Sequence, residues 1–338
     1  MGKTVQGLYQ QTEAGFLHRG QDLKRVAVTM GDPAGIGGEI ILKSLKEICK
    51  RSMPVIVGDL SAITALRQKV FSNQTFHFKR FKEGGPGEIE FLDMACISSV
   101  DFGSLDRRYG EASYRYITEA LKLTFLGEVS AMVTCPISKA SIHLAGVPFT
   151  GHTELLAHFC GVTHYIMMMA NPIMRVSLVT IHIPLRSVAP SVSRDAVLSC
   201  ISITEKSLRN LFGLSKPHIK VCGLNPHAGE NRTIGDEEVR IQEAIDQARS
   251  MGINVYGPYP ADTLFHKVDC DAYVAMYHDQ GLIPVKTLDF KRTVNVTLGL
   301  PFVRTSPGHG TGFDIAGTGL ADPSSFIEAY RLAERLSG

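Results

Sequence analysis

The sequence predicts an α/β protein with a mostly parallel sheet, on three observations. Short apolar runs of strand length alternate along the chain with longer segments of helical periodicity. The first such run ends in the turn Gly-Asp-Pro-Ala-Gly and leads into a helical segment, which is the order in which parallel strands are connected. The 338 residues, 44% of them hydrophobic, suffice for a large core and about two domains.

The alternation of strand-like and helix-like segments is clearest in the N-terminal half of the chain. Residues 25–30 form a short apolar run that predicts a buried strand. In the segment 37–49, Ile40, Ile41, Leu45 and Ile48 share one face of the expected helix. The further elements expected in this half are strands at 54–58 and 131–134 and helices at 61–70 and 112–126. Residues 1–23 are polar and predict an N-terminal extension.

The middle of the chain predicts an antiparallel ribbon inside this pattern. Two strand-like runs, 165–170 and 176–182, are separated by Asn171-Pro172. The remaining expected elements are helix 194–212, strand 218–224, helix 236–251, strands 272–277 and 293–299, and a C-terminal helix from about 323 to 336. That last helix has Pro323 in its first turn, with Asp322 as the expected N-cap.

Composition narrows the class of protein. Only 20% of the residues are charged and the net charge is +2, which excludes a disordered tail and argues against a nucleic-acid binder. The seven cysteines are widely spaced without a C-x-x-C pair, so we expect reduced thiols and a cytoplasmic protein. The uncharged stretch 155–174 contains Gly, Pro and His residues, and we interpret it as helix end, turn and strand, with no membrane partner.

A Gly-rich turn at 30–39 (MGDPAGIGGE) joins the first strand to the first helix. Such a turn can present backbone N–H groups to an anion at a helix N-terminus. However, it matches neither G-x-G-x-x-G nor G-x-x-x-x-G-K-[ST]. A tight turn that only needs the flexibility of glycine explains it equally well.

Three histidines each follow a strand-like run: His182, His227 and His278. Ligands of open α/β sheets gather at the carboxyl ends of strands, and three imidazoles suit Zn²⁺ or a similar divalent ion. Any one of them taken alone is better explained as a structural histidine. Their shared context favours a joint metal site, although their separation in sequence cannot establish one.

Other polar residues are candidates for binding substrate or cofactor. Lys286, Asn295 and Arg304 lie in or near apolar segments and suit a phosphate or carboxylate, although a single Lys or Arg is usually on the surface. In Gly151-His-Thr-Glu, we expect Thr153 to cap a helix and His152 to be exposed, or the segment to be a plain helix start. The segment 309–323 is dense in Gly beside His309 and Asp314, which suits a loop around a nucleotide.

Six motifs in order give these residues a family resemblance. They are MGDPAGIG at 30–37, GHTE at 151–154, NPHAGE at 225–230, PADT at 260–263, YHDQG at 277–281 and LPFVRTS at 300–306. From about residue 25 onward, the chain resembles the 4-hydroxythreonine-4-phosphate dehydrogenase (PdxA) family. It departs from the usual pattern at Gly38, where the family commonly has Pro, at a position that should not touch the chemistry.

The resemblance implies an architecture and a set of roles. It implies two α/β/α domains of the isocitrate/isopropylmalate dehydrogenase type with a cleft between them: 24–135 plus about 300–338, and about 136–299 with the metal ligands and dimer interface. It places a divalent metal (Zn, Mg, Co or Mn) on His182, His227 and His278, shared across a homodimer. Substrate contacts fall on His152, Thr153, Lys286, Asn295 and Arg304. NAD falls on the loop that includes Gly308, His309, Gly310, Thr311 and Asp314.

The function that this resemblance implies is an NAD- and metal-dependent oxidation of the 3-hydroxyl of 4-hydroxy-L-threonine 4-phosphate. The product, 3-amino-2-oxopropyl phosphate, forms with loss of CO₂ and serves vitamin B6 synthesis. NAD is favoured over NADP because 309–323 contains no Lys or Arg. Lys286, Asp279 and Asp262 are the candidates for the general base.

Other substrates and other classes of protein remain open. Catabolic members of the family act on 4-phospho-D-threonate or D-erythronate, and another branch oxidises aromatic cis-dihydrodiols, which carry no phosphate. The set Lys286, Asn295 and Arg304 favours a phosphorylated substrate. The alternatives from other classes are a transferase like the phosphate acyltransferases and a sensor of metal and sugar phosphate.

Overall fold

The computed structural model describes residues 24–149 and 151–338, so the expected extension at 1–23 lies outside the described residues. The chain forms two compact units. The first ends at Thr163 and resumes from Leu300 to Gly338, and the second, His164–Gly299, is inserted into it. Each unit combines a sheet with helices, which confirms the prediction of an α/β fold.

The first unit contains a parallel sheet. Its strands are β1 (Arg25–Thr29), β2 (Met53–Gly58), β3 (Lys79–Arg80), β4 (Glu90–Asp93), β5 (Ala131–Thr134) and, after the second unit, β12 (Val303–Pro307). They are ordered β3-β4-β2-β1-β5-β12, and every pairing between these neighbours is parallel. Strands β2 and β5 are buried throughout and β1 is buried from Val26 onward, as their apolar sequences predict for a sheet covered on both faces.

The helices of the first unit follow the expected apolar faces. They are α1 (Gly37–Ile48), α2 (Leu60–Val70), α3 (Arg107–Phe125), α4 (Lys139–Leu144), α5 (His152–Phe159) and α11 (Ser324–Leu336). Helix α1 buries the predicted stripe from Ile40 to Ile48. Helix α3 begins earlier than predicted, because the Asp106 carboxylate accepts a hydrogen bond from Arg108 N and caps it.

The chain leaves the first unit later than the boundary expected after residue 135. Helix α4, which lies beyond that point, packs closely on α3. A Cβ added at Gly110 of α3 would lie 1.9 Å from the Ser141 carbonyl oxygen of α4, so only glycine permits this approach. That contact keeps α4 with the first unit.

The second unit contains a mixed sheet. Its strands are β6 (Ile166–Ala170), β7 (Arg175–Leu178), β8 (Ile219–Cys222), β9 (Val255–Tyr259), β10 (Ala272–Ala275) and β11 (Val294–Leu298), in the order β11-β6-β7-β10-β8-β9. The antiparallel pairing of β6 with β7 confirms the expected ribbon. Its turn is closed by Asn171, whose Oδ1 accepts hydrogen bonds from Ile173 N and Met174 N.

The helices of this unit are α6 (Val188–Ser191), α7 (Arg194–Asn210), α8 (Glu237–Ser250), α9 (Ala261–Leu264) and α10 (His278–Leu288). Helix α10 was not predicted, because Gly281 and Pro284 interrupt its sequence. A Cβ at Gly281 would lie 2.6 Å from Leu178 Cδ2, so this glycine lets α10 pack closely against β7. In the described part of the chain, no helix has the length and apolar character that a membrane span requires.

Candidate functional site

The Gly-rich turn after β1 uses its backbone N–H groups within the protein. Ala34 N donates to Asp32 Oδ1, Gly35 N to Asp32 O, and Ile36 N to Thr311 O, each at 2.9 Å. Gly31 has a φ of +74°, and a Cβ there would lie 2.3 Å from Pro136 O. These contacts favour the tight-turn interpretation over an anion site at these three N–H groups.

Asp32 is a buried carboxylate that the sequence interpretation overlooked. Its side chain is fully buried, and Oδ2 has no hydrogen-bond partner. Desolvation raises the pKa of Asp32 to about 6, against the lowering effect of the Ala34 N–H. The only sequence signal was its position directly after a buried strand.

Arg304 is a buried cation on β12. It is 2% exposed, and its Nε and Nη2 donate to Thr134 Oγ1 on the neighbouring strand β5, at 3.1 and 2.6 Å. Burial lowers the pKa of Arg304 to about 10, while the charge of Glu154 opposes that shift. The guanidinium is therefore protonated at neutral pH.

His152 lies in the electrostatic field of Arg304. Burial and then the Arg304 charge hold the pKa of His152 well below its usual value, so the imidazole is neutral. Its Nε2 is buried and has no hydrogen-bond partner. The expectation of an exposed His152 is wrong, since the residue is half-buried, and Thr153 does not cap α5 because the cap residue is Gly151.

The loop that begins at residue 308 is hydrogen-bonded to the rest of the first unit at Gly308 and Thr311, and its exposed front is formed by Gly310 and Asp314. Gly308 N donates to Ser325 Oγ at 2.9 Å, and Thr311 O accepts from Ile36 N. His309 Nδ1 lies 3.1 Å from Gly310 O. Gly310 and Asp314 are exposed, with open space where a side chain at Gly310 would project. A ligand could therefore reach the loop at Gly310 and Asp314 from solvent.

In the second unit, the structure brings two of the three predicted metal ligands together. The ring centroids of His182, in the loop after β7, and His278, the first residue of α10, are 5.7 Å apart. His278 Nδ1 lies 2.6 Å from Asp279 Oδ1. A carboxylate on one ring nitrogen is the usual partner of a metal-binding histidine, and it leaves Nε2 to the metal. This geometry fits a divalent ion.

His227 occupies a different local structure. Within residues 24–149 and 151–338 of a single chain, no group of three or more His, Cys, Asp or Glu residues is placed to hold a metal. The three-histidine site therefore stays a prediction. The segments that carry His278 and His227 are linked by Gln280, which accepts from Met276 N at 2.7 Å and donates to Gly223 O at 2.8 Å.

The backbone around His227 forms a left-handed turn. Residues 227 to 232 all have positive φ, from 41° at Glu230 to 76° at Gly229. Only Gly229 among them is a glycine, and each other L-residue costs roughly 1–2 kcal/mol in this conformation. Strain of this kind persists only where surrounding contacts impose it, and it concentrates at functional sites.

Glu238 on α8 supplies the contacts that hold this turn. Its carboxylate is 8% exposed and accepts hydrogen bonds from Leu224 N at 2.9 Å and Asn225 N at 2.7 Å. Asn225 Nδ2 also donates to Glu238 Oε2 at 2.9 Å. A Cβ at Gly229 would lie 2.6 Å from that oxygen, so the turn wraps tightly around the carboxylate.

We expect Glu238→Ala to lower the free energy of unfolding by about 2–4 kcal/mol, because the partly buried N–H groups of Leu224 and Asn225 lose an ionised acceptor and the strained turn loses its support. Denaturant unfolding measures the change. Glu237→Ala is the matched control, since the neighbouring carboxylate of Glu237 also accepts from the Asn225 side chain but not from the backbone of Leu224 or Asn225, and it should cost less than about 1 kcal/mol. Equal losses in the two variants would show that the carboxylate of Glu238 is not what holds the turn.

Lys286 and Asn295 also belong to the second unit. Lys286 lies on α10, the helix that begins at His278, with its Nζ 5.5 Å from the centroid of the Phe290 ring. Burial lowers the pKa of Lys286. On β11, Asn295 Oδ1 is buried without a hydrogen-bond partner. Asp262 is exposed on α9. That Lys286 and Asn295 bind the substrate together with Arg304 stays a prediction.

Comparison with known proteins identifies relatives along nearly the whole chain. The family described as "Pyridoxal phosphate biosynthetic protein PdxA" matches residues 50–333. A 4-hydroxythreonine-4-phosphate dehydrogenase of Sulfurihydrogenibium is 42% identical over 91% of this chain and 97% of the relative. A Salmonella typhi protein, provisionally named a D-threonate 4-phosphate dehydrogenase, is 42% identical over 94% of this chain and 100% of its own.

Solved structures of dehydrogenases are also similar to this chain over nearly its whole length. The crystal structure of 4-hydroxythreonine-4-phosphate dehydrogenase from Klebsiella pneumoniae has a TM-score of 0.83 at 37% identity, covering 93% of this chain and 100% of that one. A terephthalate 1,2-cis-dihydrodiol dehydrogenase from Burkholderia xenovorans has a TM-score of 0.64 at 30% identity, over 92% and 97% of the two chains. The relatives named here are dehydrogenases, which identifies this protein as an oxidoreductase.

Proposed function

The chain belongs to the PdxA family, and on that premise we propose that it oxidises the 3-hydroxyl of 4-hydroxy-L-threonine 4-phosphate with NAD and a divalent metal ion. The observation that carries this proposal is a pair of orphaned polar atoms at predicted substrate contacts, His152 Nε2 and Asn295 Oδ1. Buried polar atoms are costly without partners, and a polar substrate supplies those partners.

We assign binding of the substrate's phosphate and carboxylate groups to the basic side chains Arg304 and Lys286. Arg304 offers a planar fork for a phosphate or carboxylate, whereas Lys286 offers a point charge only once it has taken up a proton. Because Arg304 is buried, its field is weakly screened and favours binding of an anion. Neutral His152 contributes a hydrogen bond without adding to the positive charge, and Thr153 adds a hydroxyl.

The metal is assigned to His182 and His278, with Asp279 orienting the second ring. His227 completes the proposed ligand set, and we assign it to the opposite subunit of a homodimer. When bound, such an ion would supply positive charge that stabilises the substrate oxygen as the hydroxyl loses its proton and the carbon that bears it loses a hydride. This assignment gives Asp279 a positioning role in place of the base role expected from sequence.

We assign removal of the proton from the substrate hydroxyl to Lys286. A half-buried lysine with a lowered pKa holds a larger neutral fraction than an exposed lysine, so it is a better proton acceptor. Hydride transfer to the nicotinamide is the chemistry of the cofactor. The resulting β-keto acid then loses CO₂, since its new carbonyl accepts the electron pair of the broken C–C bond.

The cofactor is assigned to the loop that starts at Gly308, with Asp314 and Gly310 at its exposed front. We expect Asp314→Ala and Gly310→Val to raise the KM for NAD about ten-fold and to leave the substrate KM nearly unchanged. Steady-state kinetics at varied NAD measures both constants. Asp269→Ala, which removes an exposed carboxylate from the second unit, is the control. Equal increases in both KM values would make the loop structural only.

A second candidate substrate is 4-phospho-D-threonate, or its erythronate analogue. It is favoured by the Salmonella typhi relative, which is as similar as the Sulfurihydrogenibium enzyme. The deciding experiment follows absorbance at 340 nm with NAD and each phosphorylated acid, with and without a chelator, and tests for CO₂ release. Preference for phospho-D-threonate would replace the proposed substrate, and full activity in chelator would remove the metal from the proposal.

A further inference from the structure

Glu39 and Lys43, one turn apart on α1, together hold the backbone of the segment 319–321. The Glu39 carboxylate is fully buried and accepts from Gly319 N at 3.2 Å and Ala321 N at 2.8 Å. Lys43 Nζ donates to Gly319 O at 2.6 Å and Ala321 O at 2.7 Å. The two side chains also pair with each other, at 2.9 Å. One ion pair therefore satisfies both N–H and both C=O groups of two loop residues.

The other end of the same loop is fixed to the turn that precedes α1. Ile36 N donates to Thr311 O at 2.9 Å, and a Cβ at Gly35 would lie 3.0 Å from that oxygen. Gly103 N donates to Ala34 O at 2.8 Å. The loop 311–321 is thus attached at both ends to one structural element, the Gly-rich turn with its helix.

A buried ion pair is a poor way to gain stability alone, because desolvation of the two charges offsets much of their attraction. The contribution of the Glu39–Lys43 pair is instead to position the loop. Hydrogen bonds with a charged partner are the strongest, and these bonds fix where the bonded backbone groups lie. The pair sets the position of the 319–321 backbone relative to α1 at four atoms, while Gly310 and Asp314 remain exposed.

We propose that Glu39 and Lys43 are positioning residues for the dinucleotide: the ion pair holds the 308–323 loop in the shape that binds NAD. This inference rests on the proposed function, in which that loop binds the cofactor. It also gives the motif at 30–39 a role, which is to support the cofactor loop rather than to bind an anion itself. Loss of the pair should therefore weaken NAD binding specifically.

The test measures the Kd of NAD by calorimetry on the intact protein, together with the KM values for NAD and substrate. We expect Glu39→Gln and Lys43→Met each to raise the Kd and the KM of NAD about ten-fold, with substrate KM changed less than about two-fold. Glu39→Asp, which keeps the charge, should recover part of the affinity. Hydrogen exchange of the Gly319 and Ala321 amides should accelerate in Glu39→Gln.

Glu128→Gln and Lys82→Met are the matched controls, because they break a surface ion pair of 2.7 Å in the same unit and should leave NAD binding unchanged. Unaltered NAD affinity in Glu39→Gln and Lys43→Met, beside wild-type protein that binds NAD, would overturn the inference and leave the proposed function standing. Equal weakening of NAD and substrate would also overturn it, since the pair would then support the fold generally. Wild-type protein that binds no dinucleotide would overturn both.

Discussion

Replacement of His278 by alanine is expected to lower kcat/KM by at least about a thousand-fold while the protein stays folded. A bound ion supplies several kcal/mol of charge stabilisation, and each 1.36 kcal/mol is worth a factor of ten in rate. His278 is half-buried at the start of α10, so its side chain contributes little to the core. The measurement is turnover at saturating NAD and substrate with metal titrated from zero, alongside cobalt binding followed by absorption.

The control for this variant is His77→Ala, which removes an exposed imidazole from the first unit. Its turnover and cobalt spectrum should match those of the wild type. Because ligands must be deprotonated, the metal needed for half-maximal activity should also rise as the pH falls. Near-normal turnover of His278→Ala in metal-depleted buffer would remove His278 from the ligand set.

Asp279→Asn separates the two roles considered for Asp279. If the carboxylate orients His278, the variant should bind metal about 10- to 100-fold more weakly yet recover its kcat at saturating metal. If the carboxylate is the general base, kcat should stay low at every metal concentration. The 2.6 Å contact between His278 Nδ1 and Asp279 Oδ1 supports the first result.

Much of the fold could be predicted because its main elements carry their own signals. The buried strand β1 is a continuous apolar run, and α1 shows a clear apolar face. By contrast, α10 includes Gly281 and Pro284, which local propensity assigns to turns. Close packing on β7 overrides that preference, and such a contact is not visible in sequence.

In the candidate site, too, some residues could be predicted from sequence and others could not. His182 and His278 were predicted to lie beyond strand ends, and the structure places them after β7 and β10 with their rings adjacent. The left-handed turn at His227 could not be predicted, because its residues other than Gly229 disfavour that conformation and a distant carboxylate, Glu238, imposes it. Asp32 was overlooked for the same reason, since its raised pKa comes from burial by distant segments.

Arg304→Lys is expected to cost about 2 kcal/mol in kcat/KM for the phosphorylated substrate, since lysine cannot reproduce a bidentate, charge-assisted contact. With the dephosphorylated substrate, which never makes the contact, the loss should largely vanish. The comparison is interpretable because Arg304 is protonated in the wild type: its pKa, although lowered by burial, is about 10. The measurement is kcat/KM for wild type and variant, each with both substrates.

The competing explanation is that Arg304 supports the fold around the site and does not bind the phosphate. Its Nε and Nη2 both donate to Thr134 Oγ1, so the guanidinium also links β12 to β5. Thr134→Val removes that acceptor but keeps the cation, and it should cost less than Arg304→Lys and affect both substrates alike. If Arg304→Lys also penalised both substrates equally, the phosphate role would be lost, and Arg304 would be a structural or carboxylate-binding residue. A penalty confined to the phosphorylated substrate is the outcome that a buried cation facing a phosphate requires, because the attraction between the two charges is strong where water is excluded.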